Sequence, residues 1–226
     1  MLVLYVVGTP IGNLEDITLR ALRILNEVDT IVCEDTRVTK KLLFYLGISK
    51  PLISYHSQSK LSKTRDIIAL LEEGKSLALV SDAGTPAVSD PGALLVASVR
   101  EALGDKVKIE SVPGPSALTA ALSVAGAPVS NFLFLGFLPH KKGRETLFKE
   151  IASESRAVIF YESPHRFMKT LASLAKAAPE KKIHIVRELT KLHEEAVRGT
   201  AAELSIYFST YKEKARGEFV FIVLPA

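Results

Sequence analysis

Leu2 to Val7 is an unbroken apolar run closed by Gly8, the pattern of a strand buried on both faces of a parallel sheet. Asp16 stands where it can cap a helix whose apolar positions Leu19, Leu22, Leu25 and Val28 recur at helical spacing, and Thr30 to Cys33 reads as the next strand. The alternation continues. Helices are predicted near residues 37–46, 61–73 and 92–103, and strands near 52–55, 76–81 and 107–112. This rhythm implies right-handed crossovers and a mainly parallel sheet.

A second series starts after Pro113-Gly114-Pro115: helix 116–125, strand 131–137, helix 144–154, strand 157–161, helix 165–177 and strand 183–187. It ends differently. Residues 195–199 read as a short strand, 201–208 as a short helix and Glu218 to Leu224 as a final strand, which predicts a mixed sheet with antiparallel members. The class is therefore α/β, with an N-terminal domain over 1–113 and a C-terminal domain over 114–226.

Composition agrees with a folded, soluble chain: 47% of the 226 residues are hydrophobic and 24% charged, too apolar for disorder and too interrupted by charge for a multispanning protein. Ser111 to Pro139 carries no charge and exceeds membrane-spanning length, but Pro113, Gly114, Pro115, Gly126, Pro128, Gly136 and Pro139 divide it into short pieces. No membrane span is expected. The apolar start lacks a basic segment before it and a small-residue cleavage pattern after it, so no signal peptide is expected. The lone Cys33 excludes an internal disulfide and a thiolate cluster, and a reducing compartment suits it.

Charge is unevenly placed. Residues 1–112 hold 13 basic and 14 acidic side chains, and residues 113–226 hold 16 and 11. Yet every charge between Asp35 and Asp66 is positive: Arg37, Lys40, Lys41, Lys50, Lys60, Lys63 and Arg65. With Tyr45, Tyr55 and His56 interleaved, the segment has the make-up of a phosphate-tracking surface; solvated helix faces are the alternative.

In open α/β sheets ligands bind beyond the carboxyl ends of the strands, so the turns after each apolar run carry the chemistry. Four stand out. Gly8-Thr9-Pro10-Ile11-Gly12-Asn13 lets a ligand approach the backbone but is neither a dinucleotide fingerprint nor a P-loop. Ser81-Asp82-Ala83-Gly84-Thr85-Pro86 sets a carboxylate and a glycine at a strand end, and Asp90 before Pro91 reads as a helix cap. Pro113-Gly114-Pro115-Ser116-Ala117 opens a helix with small residues. The fourth is Tyr161-Glu162-Ser163-Pro164-His165-Arg166, matched by Arg187-Glu188-Leu189-Thr190-Lys191 after the following strand. Such polar turns are either functional or mutually ion-paired.

The ordered set LYVVGTPIGNLEDITLRAL, CEDTR, SYH, LVSDAGTPAVSDPG, VPGPSALTAAL, FLGFLP, FYESPHR, RELTK and GEFVFIV resembles the small-subunit ribosomal RNA methyltransferase I family, within the tetrapyrrole methylase superfamily of S-adenosylmethionine enzymes. The resemblance runs from Leu4 to Val223. It implies a cytoplasmic homodimer of two α/β domains of the tetrapyrrole methylase type, mainly parallel in the first sheet and mixed in the second. The implied activity is 2′-O-methylation of a cytidine ribose in the decoding region of small-subunit rRNA or the 30S subunit. S-adenosylmethionine is then expected in the cleft between the domains, against Pro10, Ile11, Asp82, Gly84, Thr85, Ser116 and Ala117, with Tyr161, Leu189 and Phe219 closing over it. The Gly-Thr-Pro-Ile-Gly turn and Ser-Asp-Ala-Gly-Thr-Pro loop depart from the superfamily's glycine-richer forms and favour the rRNA branch. Many family members continue past this chain's end into a small helical segment; either RNA affinity or site choice rests on the basic segment 37–65 and on dimer formation, or the sequence is a truncated piece.

Methyl transfer to a hydroxyl is an in-line displacement that needs positioning, a proton acceptor and no metal. The candidate bases are Glu34, His56, Glu162 and Glu188. Arg37, Lys40, Lys41, Arg166, Arg187 and Lys191 are candidates for holding phosphates. A tetrapyrrole or other small-molecule methylase, and a nonenzymatic ribosome-associated RNA-binding protein, are the competing readings.

Overall fold

The computed structural model describes residues 2–56, 61–127 and 129–225, so Lys60 of the basic segment and Pro128 lie outside the described residues. The chain forms two compact units, Met1–Ser116 and Ala117–Ala226.

In the first unit β1 (Leu2–Val7), α1 (Leu19–Glu27), β2 (Thr30–Cys33), α2 (Thr36–Tyr45), β3 (Leu52–Ser54), α3 (Leu61–Glu72), β4 (Leu77–Leu79), α4 (Gly92–Leu103) and β5 (Val107–Val112) follow one another. The five strands are parallel and stand in the order β3-β2-β4-β1-β5. The period of two along β4 places Leu77 and Leu79 in a cluster with Ile67 and Leu71 of α3 and Leu95 and Val99 of α4. Ala78 and Val80 point the other way, into a cluster with Ala21, Ile24 and Leu25 of α1 and Leu43 of α2. Both faces of the sheet are thus covered, and this is why its strands read as continuous apolar runs. The helices after β1 and β4, α1 and α4, cover opposite faces, and these two strands are neighbours. The edge between β1 and β4 is therefore the topological switch point.

Local details differ from the pattern-based expectation in three places. Thr18, rather than Asp16, caps α1: its side chain accepts from Ala21 N at 3.0 Å, while Asp16 closes a short 3-10 turn over Leu14–Asp16. That start rotates the buried stripe onto Ala21, Ile24 and Leu25 and leaves Leu19 86% exposed. Asp90 binds the start of α4 from one residue further out, its Oδ1 accepting from Gly92 N at 2.7 Å and Ala87 N at 2.9 Å. Tyr55, expected on the basic surface, is buried in the core.

The second unit comprises α5 (Ala117–Val124), β6 (Phe132–Phe137), α6 (Arg144–Ser153), β7 (Ala157–Glu162), α7 (Pro164–Ala177), β8 (Ile183–Arg187), β9 (Glu195–Gly199), α8 (Ala201–Thr210) and β10 (Phe219–Val223). Its sheet runs β6-β7-β10-β8-β9; β6 and β7 are parallel, and the other pairings are antiparallel. Side chains of α6, α7 and α8 pack on one face, where Phe167 stacks on Phe219 with centroids 3.9 Å apart and meets Phe208 edge-on at 4.6 Å. Among the described residues no helix is long and apolar enough to cross a membrane.

Candidate functional site

All carboxyl ends of a parallel sheet lie on one edge, so the first unit gathers the turns after β1, β2, β3, β4 and β5 there. The switch-point turns are locked together: Thr9 N donates to Gly84 O at 2.9 Å and Gly84 N to Thr9 O at 3.1 Å. Ser81 Oγ donates to Ala83 O at 3.1 Å, which tightens the same loop. Gly84 holds a φ of 80°, and a Cβ there would stand 3.2 Å from Ile11 Cγ2. Thr85 Oγ1 donates to Pro115 O at 3.2 Å, tying in the turn after β5. Pro10, Ile11, Thr85 and Ser116 are half-buried around these contacts, and Ala117 opens α5.

Acidic groups rim this edge. Glu34 follows β2 and is half-buried; burial first, then the Asp82 and Asp90 carboxylates, push its carboxyl above the ordinary glutamate range, against an opposing pull from His56. Asp82 is exposed and its Oδ1 accepts from Asp35 N at 3.0 Å. Asp35 caps α2 through Arg37 N, and the Arg37 side chain at 2.6 Å holds its carboxyl down at about 2. His56 is exposed just past β3. From this edge α2 presents Arg37, Lys40 and Lys41 on one exposed face, at positions three and four apart. Among the described residues no group of three or more His, Cys, Asp or Glu is placed to hold a metal ion.

The polar strand ends of the second unit behave differently. Glu162 is 1% exposed; Arg144 Nη2 meets its Oε2 at 3.0 Å, Arg166 Nη2 its Oε1 at 2.6 Å, and Thr170 Oγ1 and Ser163 N donate to it at 2.7 and 2.9 Å. With every lone pair engaged, this carboxylate is built into an internal network, and so is Arg166. Arg187 is also buried, donating to His193 O at 3.1 Å and Arg216 O at 3.2 Å, which commits its guanidinium to the protein's own backbone. Burial would raise the Glu188 carboxyl, but Lys191 at 3.0 Å and Glu218 N at 3.1 Å outweigh it, and the net shift is downward. Lys191 is shared between Glu188 and Glu218. Leu189 is buried, and the Phe219 ring belongs to the aromatic core. Tyr161 is half-buried with its ring edge-on to Phe134 and Phe137. Sequence reasoning missed Arg144, the second cation on Glu162; the turn after β6 and the first residue of α6 offered no charge pattern to reveal it.

A family model described as Tetrapyrrole (Corrin/Porphyrin) Methylases matches residues 3–205. Among solved structures, the uroporphyrin-III-C-methyltransferase from Thermus thermophilus superposes with a TM-score of 0.67 at 19% identity, covering 99% of this chain and 94% of that one. A cobalt precorrin-4 methyltransferase gives 0.69 at 19% identity, with 98% and 94% covered, so the fold is shared. The fold is that of the tetrapyrrole methylase class. The chain is 46% identical over 220 residues to the ribosomal RNA small subunit methyltransferase I of Thermotoga maritima, covering 97% of each. It is 43% identical over 222 residues to the protein of that name from Bacillus subtilis, covering 98% of this chain and 74% of the relative. Within the class, the chain belongs to the ribosomal RNA small subunit methyltransferase I family.

Proposed function

We propose that this protein transfers a methyl group from S-adenosylmethionine to the 2′-oxygen of a cytidine ribose in small-subunit rRNA, as a cytoplasmic homodimer acting on the 30S subunit. The observation that carries the reading is the pair of locked turns at the carboxyl edge of the first sheet, joined by the Thr9–Gly84 bridge, in a chain related along nearly its whole length to rRNA methyltransferases. The residues present suit the donor. Gly84 keeps the backbone bare beside Ile11, and Glu34, Asp35 and Asp82 form an acidic rim that favours a cationic group. When bound, S-adenosylmethionine supplies a methyl carbon activated by its sulfonium.

The protein's own work is to hold, orient and deprotonate. Pro10, Ile11, Gly84 and Thr85 would fix the donor's place against the locked turns, and Ser116 extends that surface. Glu34 is the proton acceptor. Its raised carboxyl is a stronger base than an ordinary glutamate, and it sits at the carboxyl edge with Asp82. Glu34 would take the ribose hydroxyl proton and so free the oxygen to accept the methyl group that the bound sulfonium would supply. His56 is the next candidate, at the adjacent strand end. The acidic rim repels phosphates, so RNA is held further along α2 by Arg37, Lys40 and Lys41. Incubation with labelled S-adenosylmethionine and undermethylated small subunits, followed by mapping of ribose methylation, tests this. A single modified ribose supports it, and absence of label from RNA overturns it.

A further inference from the structure

The edge strand β6 ends in a bulge that turns one aromatic ring outward. Gly136 holds a φ of 61°, and the register with β7 shifts between Phe134 and Phe137. Phe137 is 57% exposed, yet its ring is held edge-on to Tyr161 with centroids 5.4 Å apart. Leu138 then dips into the core, and Pro139, His140, Lys141 and Lys142 emerge exposed. No acidic residue lies from Phe137 through Arg144, and neither lysine joins an ion pair among the described residues.

This exposed loop is tethered from beneath by buried charge. Arg166 Nη1 donates to Leu138 O at 2.7 Å and Arg144 Nη1 to Pro139 O at 2.9 Å, while Glu162 bridges both guanidiniums. A buried ion network of this kind adds little net stability over apolar residues of the same volume. Its consequence here is geometric: neither loop carbonyl can move without losing its bond to the buried Arg144 or the half-buried Arg166 guanidinium.

We propose that Phe137 to Lys142 is a contact for single-stranded RNA. The face of Phe137 stacks on a nucleobase and Lys141 and Lys142 neutralise the flanking phosphates, with Arg144, Glu162 and Arg166 as positioning residues. The proposal rests on the rRNA reading above. A fixed aromatic face beside unpaired cations matches the two features every RNA strand repeats, a base π-face and a phosphate. A symmetric contact with a second copy would bring two such cationic loops together, so charge favours a polyanion.

The test uses the full chain and a single-stranded fragment of unmodified small-subunit rRNA, with RNA affinity by anisotropy, S-adenosylmethionine affinity by calorimetry, and methyl transfer. Phe137→Ala is expected to weaken RNA binding by about 5- to 150-fold while donor affinity and Tm hold, and Phe137→Trp to restore it. Lys141→Ala with Lys142→Ala should reduce the slope of log affinity against log salt by about 0.7 per lysine. RNA affinity unchanged in Phe137→Ala overturns the proposal. So does a matching loss of donor affinity, or a change in oligomeric state with RNA binding intact. A wild-type protein that methylates no RNA removes the rRNA reading and this proposal with it, whereas methylation that tolerates Phe137→Ala removes this proposal alone.

Discussion

Gly8 and Gly114 bring the turns after β1 and β5 into direct backbone contact: a Cβ built on either would lie 2.8 Å from backbone atoms of the other. Gly8 N also donates to Val112 O at 3.0 Å, so the approach is fixed by the sheet itself. Because the obstacle is backbone, no rotamer change can relieve it. Gly8→Ala and Gly114→Ala are each expected to destabilise the first unit by about 1–3 kcal/mol or more, read as a lowered midpoint in denaturant. An unchanged midpoint would mean that the two turns can separate freely.

Glu34→Gln separates chemistry from stability. Turnover should fall by about 10²- to 10⁴-fold, with donor affinity nearly unchanged. The carboxyl is raised in the fold, so its ionised form is disfavoured there, and this penalty appears as pH rises above the unfolded pKa. The neutral glutamine removes the penalty, so Tm at neutral pH should hold or rise. Single-turnover methylation and thermal melts together decide it; equal loss of donor binding and turnover would assign Glu34 to donor binding.

Glu162 answers to a different measurement. Glu162→Ala leaves Arg144 buried and Arg166 half-buried without their carboxylate and should cost about 3–5 kcal/mol of stability. Denaturant titration reads this directly. A variant as stable as the parent but inactive would instead make Glu162 a participant in the reaction.

Acid should loosen two exposed helix-end contacts over a defined range. Arg37 holds Asp35 down at about 2 from 3.8, and Arg156 holds Glu154 at about 2 from 4.5. For carboxyls lowered in the fold, the stabilisation is complete above the unfolded values and is lost as pH falls through the folded ones. Carboxyl NMR titration should therefore show both groups still ionised at pH 3, with Asp35→Asn flattening the acid limb of the stability curve.

Lys40→Ala and Lys41→Ala should weaken RNA binding and lower its salt dependence, by about 0.7 in slope for each lysine, without changing donor affinity. Binding measured across a salt series checks this. An unchanged slope would leave α2 a solvated helix face.

Strand and helix order, both sheet types and the turns at the strand ends were legible in the sequence because burial on both sheet faces writes itself as unbroken apolar runs separated by helical periodicity. At the polar turns the ion pairs of Glu162 lie within its own turn, with Arg166, or reach Arg144, and among the described residues none joins the two turns that the sequence set side by side. The rotation of α1 was not legible, because Leu19 fits the helical period and only the Thr18 cap fixes which stripe faces inward. Nor was the state of Tyr55, since one position past β3 separates a surface ring from a core ring.

By itself, then, the chain's pattern of apolar runs, glycines and polar turn residues determined an α/β protein with its chemistry at the strand ends, and its ordered motifs indicated the family. Tertiary structure alone set the surroundings of three of the four candidate bases, raising the Glu34 carboxyl by burial and by Asp82 while enclosing Glu162 between two guanidiniums and tying Glu188 to Lys191. The reason is physical: a carboxylate's basicity is set by how much water it loses and by which charges stand within a few ångströms, and residues distant in sequence supply most of those charges.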